Sequence, residues 1–161
     1  GTHFMADPHY DWEDLTPGFT FTTKSRHVSK EEIIEFASEY DPQPFHLDEE
    51  AAKGSILGGL CASGWHSCCI AMRLVADDFY PHCTPLGSPG IEETRWKRPL
   101  FAGESVSVTL EVTESRASKS RQDLGLTRFL WTMKNEAGDI IMTSDCWVML
   151  ARRPNDKKGA A

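Results

Sequence analysis

The 161-residue chain lacks an apolar run of membrane-spanning length, an excess of basic residues, and the cysteine spacing of a disulfide or zinc framework. Each absence removes a class of function. Without about 20 consecutive apolar residues no transmembrane helix is predicted, and the first residues lack the charged-then-apolar order of a secretory signal. A formal charge of −7 leaves no basic face, so neither nucleic acid nor a membrane surface is expected as a partner. The five cysteines are odd in number and scattered, apart from the adjacent Cys68 and Cys69. No CxxC pair or metal-ligand set is among them. That usage fits a reducing cytoplasm and idle or buried thiols, and neither a metal nor an organic cofactor is expected.

What is present is enough for one core. At 40% hydrophobic and 25% charged residues, the chain is expected to form one domain over 19–153. Residues 1–18 read as a leader with Trp12 as its anchor, and the Gly-Thr-His-Phe ahead of Met5 reads as a cloning remnant. The basic tail from Pro154 onwards reads as frayed.

The most informative stretch is 40–46, Tyr-Asp-Pro-Gln-Pro-Phe-His, which places a carboxylate and an imidazole five residues apart between two prolines. Ser29 and Glu32 form a capping-box pattern, and Ile33, Ile34, Phe36, Ala37 and Tyr40 recur at helical spacing, so a helix delivers Asp41 at its carboxyl end. Pro42 stops that helix. Each proline pushes the residue before it into extended backbone, so Asp41 and Gln43 belong to a stiff bend that can converge Asp41 and His46. Such a pair around one water is an acid/base unit. Spacing alone equally allows a turn aspartate and a surface histidine.

After His46, Asp48 is placed to cap a short turn ended by Gly54. The segment 59–80 is nearly all small or apolar and reads as a central buried helix about 33 Å long, with Ser63, His66 and Ser67 meeting a polar cavity. His66 reads as a packing residue. Pro81, Pro85, Gly87, Pro89 and Gly90 mark a loop, after which the period changes to two. Strands are predicted at 19–28, 91–97, 106–112, 124–135 and 140–152, with Val106, Val108, Leu110 and Val112 alternating strictly with polar residues. A long antiparallel sheet curled around one helix, an α+β fold, is the economical arrangement. Apolar residues on both faces of the last strand point to pairing with a second copy.

These positions resemble the MaoC-like dehydratase family, the hot dog fold enzymes that include (R)-specific enoyl-CoA hydratases. The family's Asp, two residues, Pro, an apolar residue and His stands here as Asp41-Pro42-Gln43-Pro44-Phe45-His46, with Ala51-Ala52 following. A glycine opening the central helix is matched by Gly59, and a serine eight residues on by Ser67. The likeness runs through Arg98-Pro99, the Gly103-Glu104 turn and the hairpin around Gly138. Gln43 replaces the usual Asn, Gly58 stands where those hydratases carry His, and the connection from His46 to Gly59 is shorter. These departures point to altered acyl specificity.

The resemblance implies a hydro-lyase acting at the 2,3 double bond of an acyl-CoA thioester, with coenzyme A as part of the substrate, and a homodimer; the cysteine usage places it in the cytoplasm. Asp41 and His46 are the expected acid/base pair, and Gly59, at the head of the helix, the expected neighbour of an enolate oxygen. Gln43, Phe45, Gly58 and Ser67 are the expected substrate-binding positions. A hot dog thioesterase, which needs only Asp41, and a noncatalytic acyl-CoA-binding subunit are the alternatives.

Overall fold

The computed structural model describes residues 8–154; the Gly-Thr-His-Phe read as a cloning remnant and the tail beyond Pro154 lie outside them. Six strands form one antiparallel sheet: β1 (Thr20–Thr22), β2 (Arg26–His27), β3 (Pro85–Trp96), β4 (Ser105–Ala117), β5 (Leu124–Asn135) and β6 (Ile140–Ala151). Four helices accompany it: α1 (Lys30–Tyr40), α2 (Pro44–Leu47), α3 (Glu49–Lys53) and α4 (Gly64–Asp78). The strand order is β1-β4-β5-β6-β3, with β2 also on β4.

The core lies between α4 and the sheet. Ile70, Ala71, Leu74 and Val75 of α4 are buried with Val106, Val108, Leu110 and Val112 of β4 and with Phe129, Trp131 and Met133 of β5. Period-two alternation sends those β4 side chains to one face, as the sequence predicts. The hairpin between β5 and β6 turns at Gly138, whose φ of +88° suits glycine.

Three expectations require correction. Residues 19–28 form two short strands rather than one, broken where the Thr23 hydroxyl accepts the Val108 N–H. Strand β3 begins at Pro85, inside the stretch read as a loop. It lies at the edge of the sheet, where prolines and glycines remove no ladder bond on the open side, and its register shifts around Gly87 and Gly90. The central helix begins at Gly64, not Gly59, and its 15 residues span about 22 Å.

Trp12 anchors the described part of the leader, residues 8–18. Trp12 donates its indole N–H to the Leu126 carbonyl at 3.2 Å and lies over Gly125, where a Cβ would come within 2.3 Å of the ring. The Arg152 guanidinium lies over the same indole, 5.1 Å from its centroid.

Candidate active site

Helix α1 starts with Ser29 accepting the Glu32 N–H at 3.1 Å, the capping bond its sequence announces. It stops at Asp41, whose φ of −150° leaves the helical region ahead of Pro42. Gln43 is extended, and Pro44 opens a single helical turn in place of the plain bend expected there. That turn carries His46 back towards Asp41, so Asp41 Oδ2 and His46 Nε2 stand 3.4 Å apart.

The surroundings fix the chemistry of both groups. His46 is only 6% exposed, and its Nδ1 donates to the Cys61 carbonyl at 2.6 Å. That bond places the ring proton on Nδ1 and turns Nε2 towards Asp41. With the ring neutral, two acceptors would face one another, so the contact calls for a proton on Nε2 or a water donating to both. Asp41 also accepts the Gln43 amide at 2.6 Å. Burial raises the Asp41 pKa, but the Ser63 hydroxyl, the Gln43 amide and the nearby imidazole outweigh it and hold the carboxyl below its usual value. Phe45 packs edge-on against the imidazole, 4.6 Å between centroids, and shields one side of the pair.

Both side chains line a cavity of about 500 Å³ whose other walls include Gln43, Phe45, Gly64, Trp65, Ser67, Trp96 and Arg98. Ser63 precedes α4 and makes no side-chain capping bond, so the N–H groups of the first turn stay open for an acceptor. Gly64 is required for a different reason from a turn. A Cβ there would lie 2.6 Å from the Trp96 indole, which also donates to the Gly64 carbonyl at 2.9 Å. Gly64→Ala is expected to displace Trp96 and lower stability by about 1–3 kcal/mol, read by thermal melting and tryptophan fluorescence.

Of the residues picked out in the sequence, Asp41, Gln43, Phe45, His46 and Ser67 line this one cavity. Gly58 and Gly59 do not. They line a separate surface cleft with Lys53 and Phe101, because the chain runs five further residues before α4 begins. Gly64 occupies the helix-end position expected of Gly59, and Ser63 is the hydroxyl that bears on Asp41. The signal for Ser63 was its place in the polar interruption of an apolar helix. His66 packs as expected, stacked on Phe36 at 4.5 Å with Nε2 3.7 Å from Glu32. Burial holds its pKa below the usual value against the opposing pull of Glu32.

Ser63→Ala gives a specific expectation. Removing the Ser63 hydroxyl, one of the groups that lower the Asp41 pKa, raises that pKa, so the acid limb of a pH–rate profile that needs ionised Asp41 moves to higher pH. A profile of kcat/KM against pH checks it.

Arg98 is committed elsewhere. Its guanidinium meets Glu104 through two bonds, at 2.9 and 2.7 Å. The five cysteines are free; burial pushes the thiols of Cys61 and Cys83 up to about 11 and that of Cys146 to about 12, whereas Cys69 is exposed. Among the described residues no group of three or more His, Cys, Asp or Glu side chains is placed to hold a metal ion, and no helix is long and apolar enough to cross a membrane.

Comparison with known proteins agrees with this architecture. Residues 14–129 match the family described as MaoC like domain. The chain belongs to the MaoC-like family. It is 36% identical to the MaoC-like dehydratase from Rhodospirillum rubrum, whose crystal structure superposes with a TM-score of 0.81 over 90% of this chain and 99% of that one. An uncharacterized protein, YdeM of Bacillus subtilis, is 28% identical over 141 residues, 87% of this chain and 98% of its own. The (R)-hydratase from A. caviae involved in PHA biosynthesis is 21% identical, with a TM-score of 0.65 over 84% of this chain and 97% of that one. The sheet curled around α4 is the hot dog fold of these MaoC-like proteins.

Proposed function

We propose that this MaoC-like protein is a hydro-lyase that adds or removes water at the 2,3 double bond of an enoyl-CoA or 3-hydroxyacyl-CoA thioester. The observation that carries the reading is the 3.4 Å contact of Asp41 with His46 Nε2 in a cavity that also meets the open end of α4. Hydration needs a base for water, an acid for the α-carbon and donors for the enolate formed between the two steps.

Asp41 takes a proton from the water as its oxygen bonds to C3. The double-bond electrons move through C2 to the thioester oxygen, and the protonated imidazole returns a proton from Nε2 to C2. The first-turn N–H groups of α4 then face the enolate oxygen, where one such donor lowers the barrier by about 3–4 kcal/mol. Transfer from Asp41 to His46 restores the pair. Dehydration runs the same steps backwards. The Cys61 carbonyl supports the acid role by keeping the other ring nitrogen protonated.

The protein works as a homodimer in the cytoplasm, in this reading. Strand β3 has an open edge, and its exposed Leu86, Ile91 and Trp96 lie with Trp65 and Met72 of α4 among the exposed large apolar residues that a second copy would cover.

A panel of enoyl-CoA thioesters, straight, branched and dicarboxylic, tests the activity. Loss of the conjugated absorbance without free thiol supports hydration. Release of free thiol means a thioesterase, and binding without either means a noncatalytic subunit.

A further inference from the structure

Lys97 stands on the rim of the Asp41–His46 cavity, directly after β3 and exposed to solvent. Its N–H bonds to the Ile141 carbonyl at 2.8 Å, and the Arg98 N–H shares that acceptor at 3.3 Å, so the backbone that carries the side chain is fixed. The titratable or charged side chains lining the cavity are Asp41, His46, Lys97 and Arg98. Asp41 and His46 face one another, and Arg98 spends its guanidinium on Glu104 and on the Pro99 carbonyl, the latter at 2.6 Å. Lys97 is the uncommitted one. Among the described residues no carboxylate lies within ion-pair distance of its ammonium group, and no side-chain hydrogen bond holds it.

A free cation is informative in a chain of net charge −7, where carboxylates are in excess. Several other exposed basic residues have found one: Arg95 donates to Glu93 at 2.6 Å and Arg73 to Asp77 at 2.9 Å, while Lys30 lies 3.3 Å from Glu49. The position of Lys97 says which part of a ligand it meets. The reacting pair lies deep, with His46 buried and the Asp41 side chain only 16% exposed. A cavity of about 500 Å³ holds an acyl group and its thioester but not a whole coenzyme A, so the nucleotide end leaves across the exposed rim. That end carries the phosphates. The net charge of the protein repels them, as does Asp41, and a cation on the rim offsets the repulsion where they pass.

We propose that Lys97 binds a phosphate of coenzyme A and so makes the site select coenzyme A thioesters over the same acyl group on a carrier without phosphate. The inference rests on the enoyl-CoA reading above. Lysine suits the task, because its ammonium is a compact charge with three donors on a flexible stem.

The test pairs a binding measurement with an activity measurement on the wild type, Lys97→Gln, Lys97→Arg and Lys119→Gln, each checked by thermal melting. Lys119→Gln removes the same charge from the β4–β5 connection, away from the cavity lining. Coenzyme A is titrated calorimetrically into each protein, and hydration of crotonyl-CoA is compared with that of crotonyl-pantetheine, which has the same acyl thioester and no phosphate. Lys97→Gln is expected to weaken coenzyme A binding about five- to tenfold and to raise KM for crotonyl-CoA by the same factor, with kcat and all values for crotonyl-pantetheine unchanged. At about 1 M salt the difference shrinks to twofold or less. Lys97→Arg keeps most of the affinity, and Lys119→Gln behaves as wild type. An equal loss on both thioesters in Lys97→Gln overturns the proposal, as does unchanged affinity for coenzyme A or its failure to bind the wild type. A loss that is larger for a dicarboxylic enoyl-CoA than for crotonyl-CoA also overturns it, since Lys97 then meets the acyl end. If coenzyme A binds with the expected dependence on Lys97 and no enoyl-CoA is hydrated, the hydratase reading fails while the role of Lys97 stands.

Discussion

Asp41→Asn is expected to lower enoyl-CoA hydration by about 10²–10⁴-fold with little change in melting temperature. The substitution keeps the size of the side chain and an oxygen to accept the Gln43 amide, now at 2.6 Å. It removes the charge that meets His46 Nε2 and the basic oxygen that takes the proton from water. His46→Gln is expected to cost a similar factor, because a carboxamide can still donate to the Cys61 carbonyl but cannot return a proton to carbon. The two losses do not add. Each variant dismantles the same relay, so the double variant is expected to fall little below the worse single one. Steady-state kcat and KM of the three proteins, with melting curves, check the claim.

The second large effect is on the fold. Glu104 accepts two bonds from Arg98, one from the Phe101 N–H at 2.8 Å and one from the Asn135 amide at 2.8 Å. Burial raises its pKa, but those donors dominate and hold the carboxyl at about 2, against an ordinary 4.5. A carboxylate depressed in this way stabilises the fold fully above its ordinary pKa, and the contribution is lost as pH falls from 4.5 towards 2. The shift corresponds to a contribution on the order of 3 kcal/mol. Glu104→Ala is therefore expected to lower the melting temperature by roughly 5–10 °C at neutral pH, with the gap to wild type narrowing towards pH 2. Activity suffers as well, because the turn that Glu104 holds supplies Leu100 O to the Ala62 N–H and Ala102 N–H to the Leu60 carbonyl. Those bonds flank Cys61, whose carbonyl orients His46. Melting curves at several pH values separate this from a surface ion pair, whose loss would move little.

The sequence was most legible where a local rule had no competitor. Ser29 and Pro42 bound α1 without help from the rest of the chain, and the alternation of Val106 to Val112 fixed which face of β4 is buried. Asp41 and His46 could be paired because two prolines leave the backbone few alternatives. It was least legible where tertiary contacts decide. Small residues from Gly59 to Ser63 suit a helix packed closely as well as a loop packed closely. Contacts of Cys61 and Ala62 with Phe45 and Leu100 select the loop. The start of α4 therefore moved to Gly64, and the glycine chosen for the helix end was the wrong one. Trp96 was equally hidden, since its position depends on a glycine 32 residues earlier that leaves space for the indole. The prolines and glycines before Ile91 looked like a loop because the rule against them in strands applies to central strands, and β3 is an edge.

The proposed reaction adds water across a carbon–carbon double bond while the thioester stays intact. Mass spectrometry of crotonyl-CoA incubated with the wild-type protein tests this most directly. The expected product is heavier than the substrate by one water, still joined to coenzyme A, and formed by the wild type but not by Asp41→Asn. Free coenzyme A with crotonate, or an unchanged substrate across the whole enoyl-CoA panel, would contradict it.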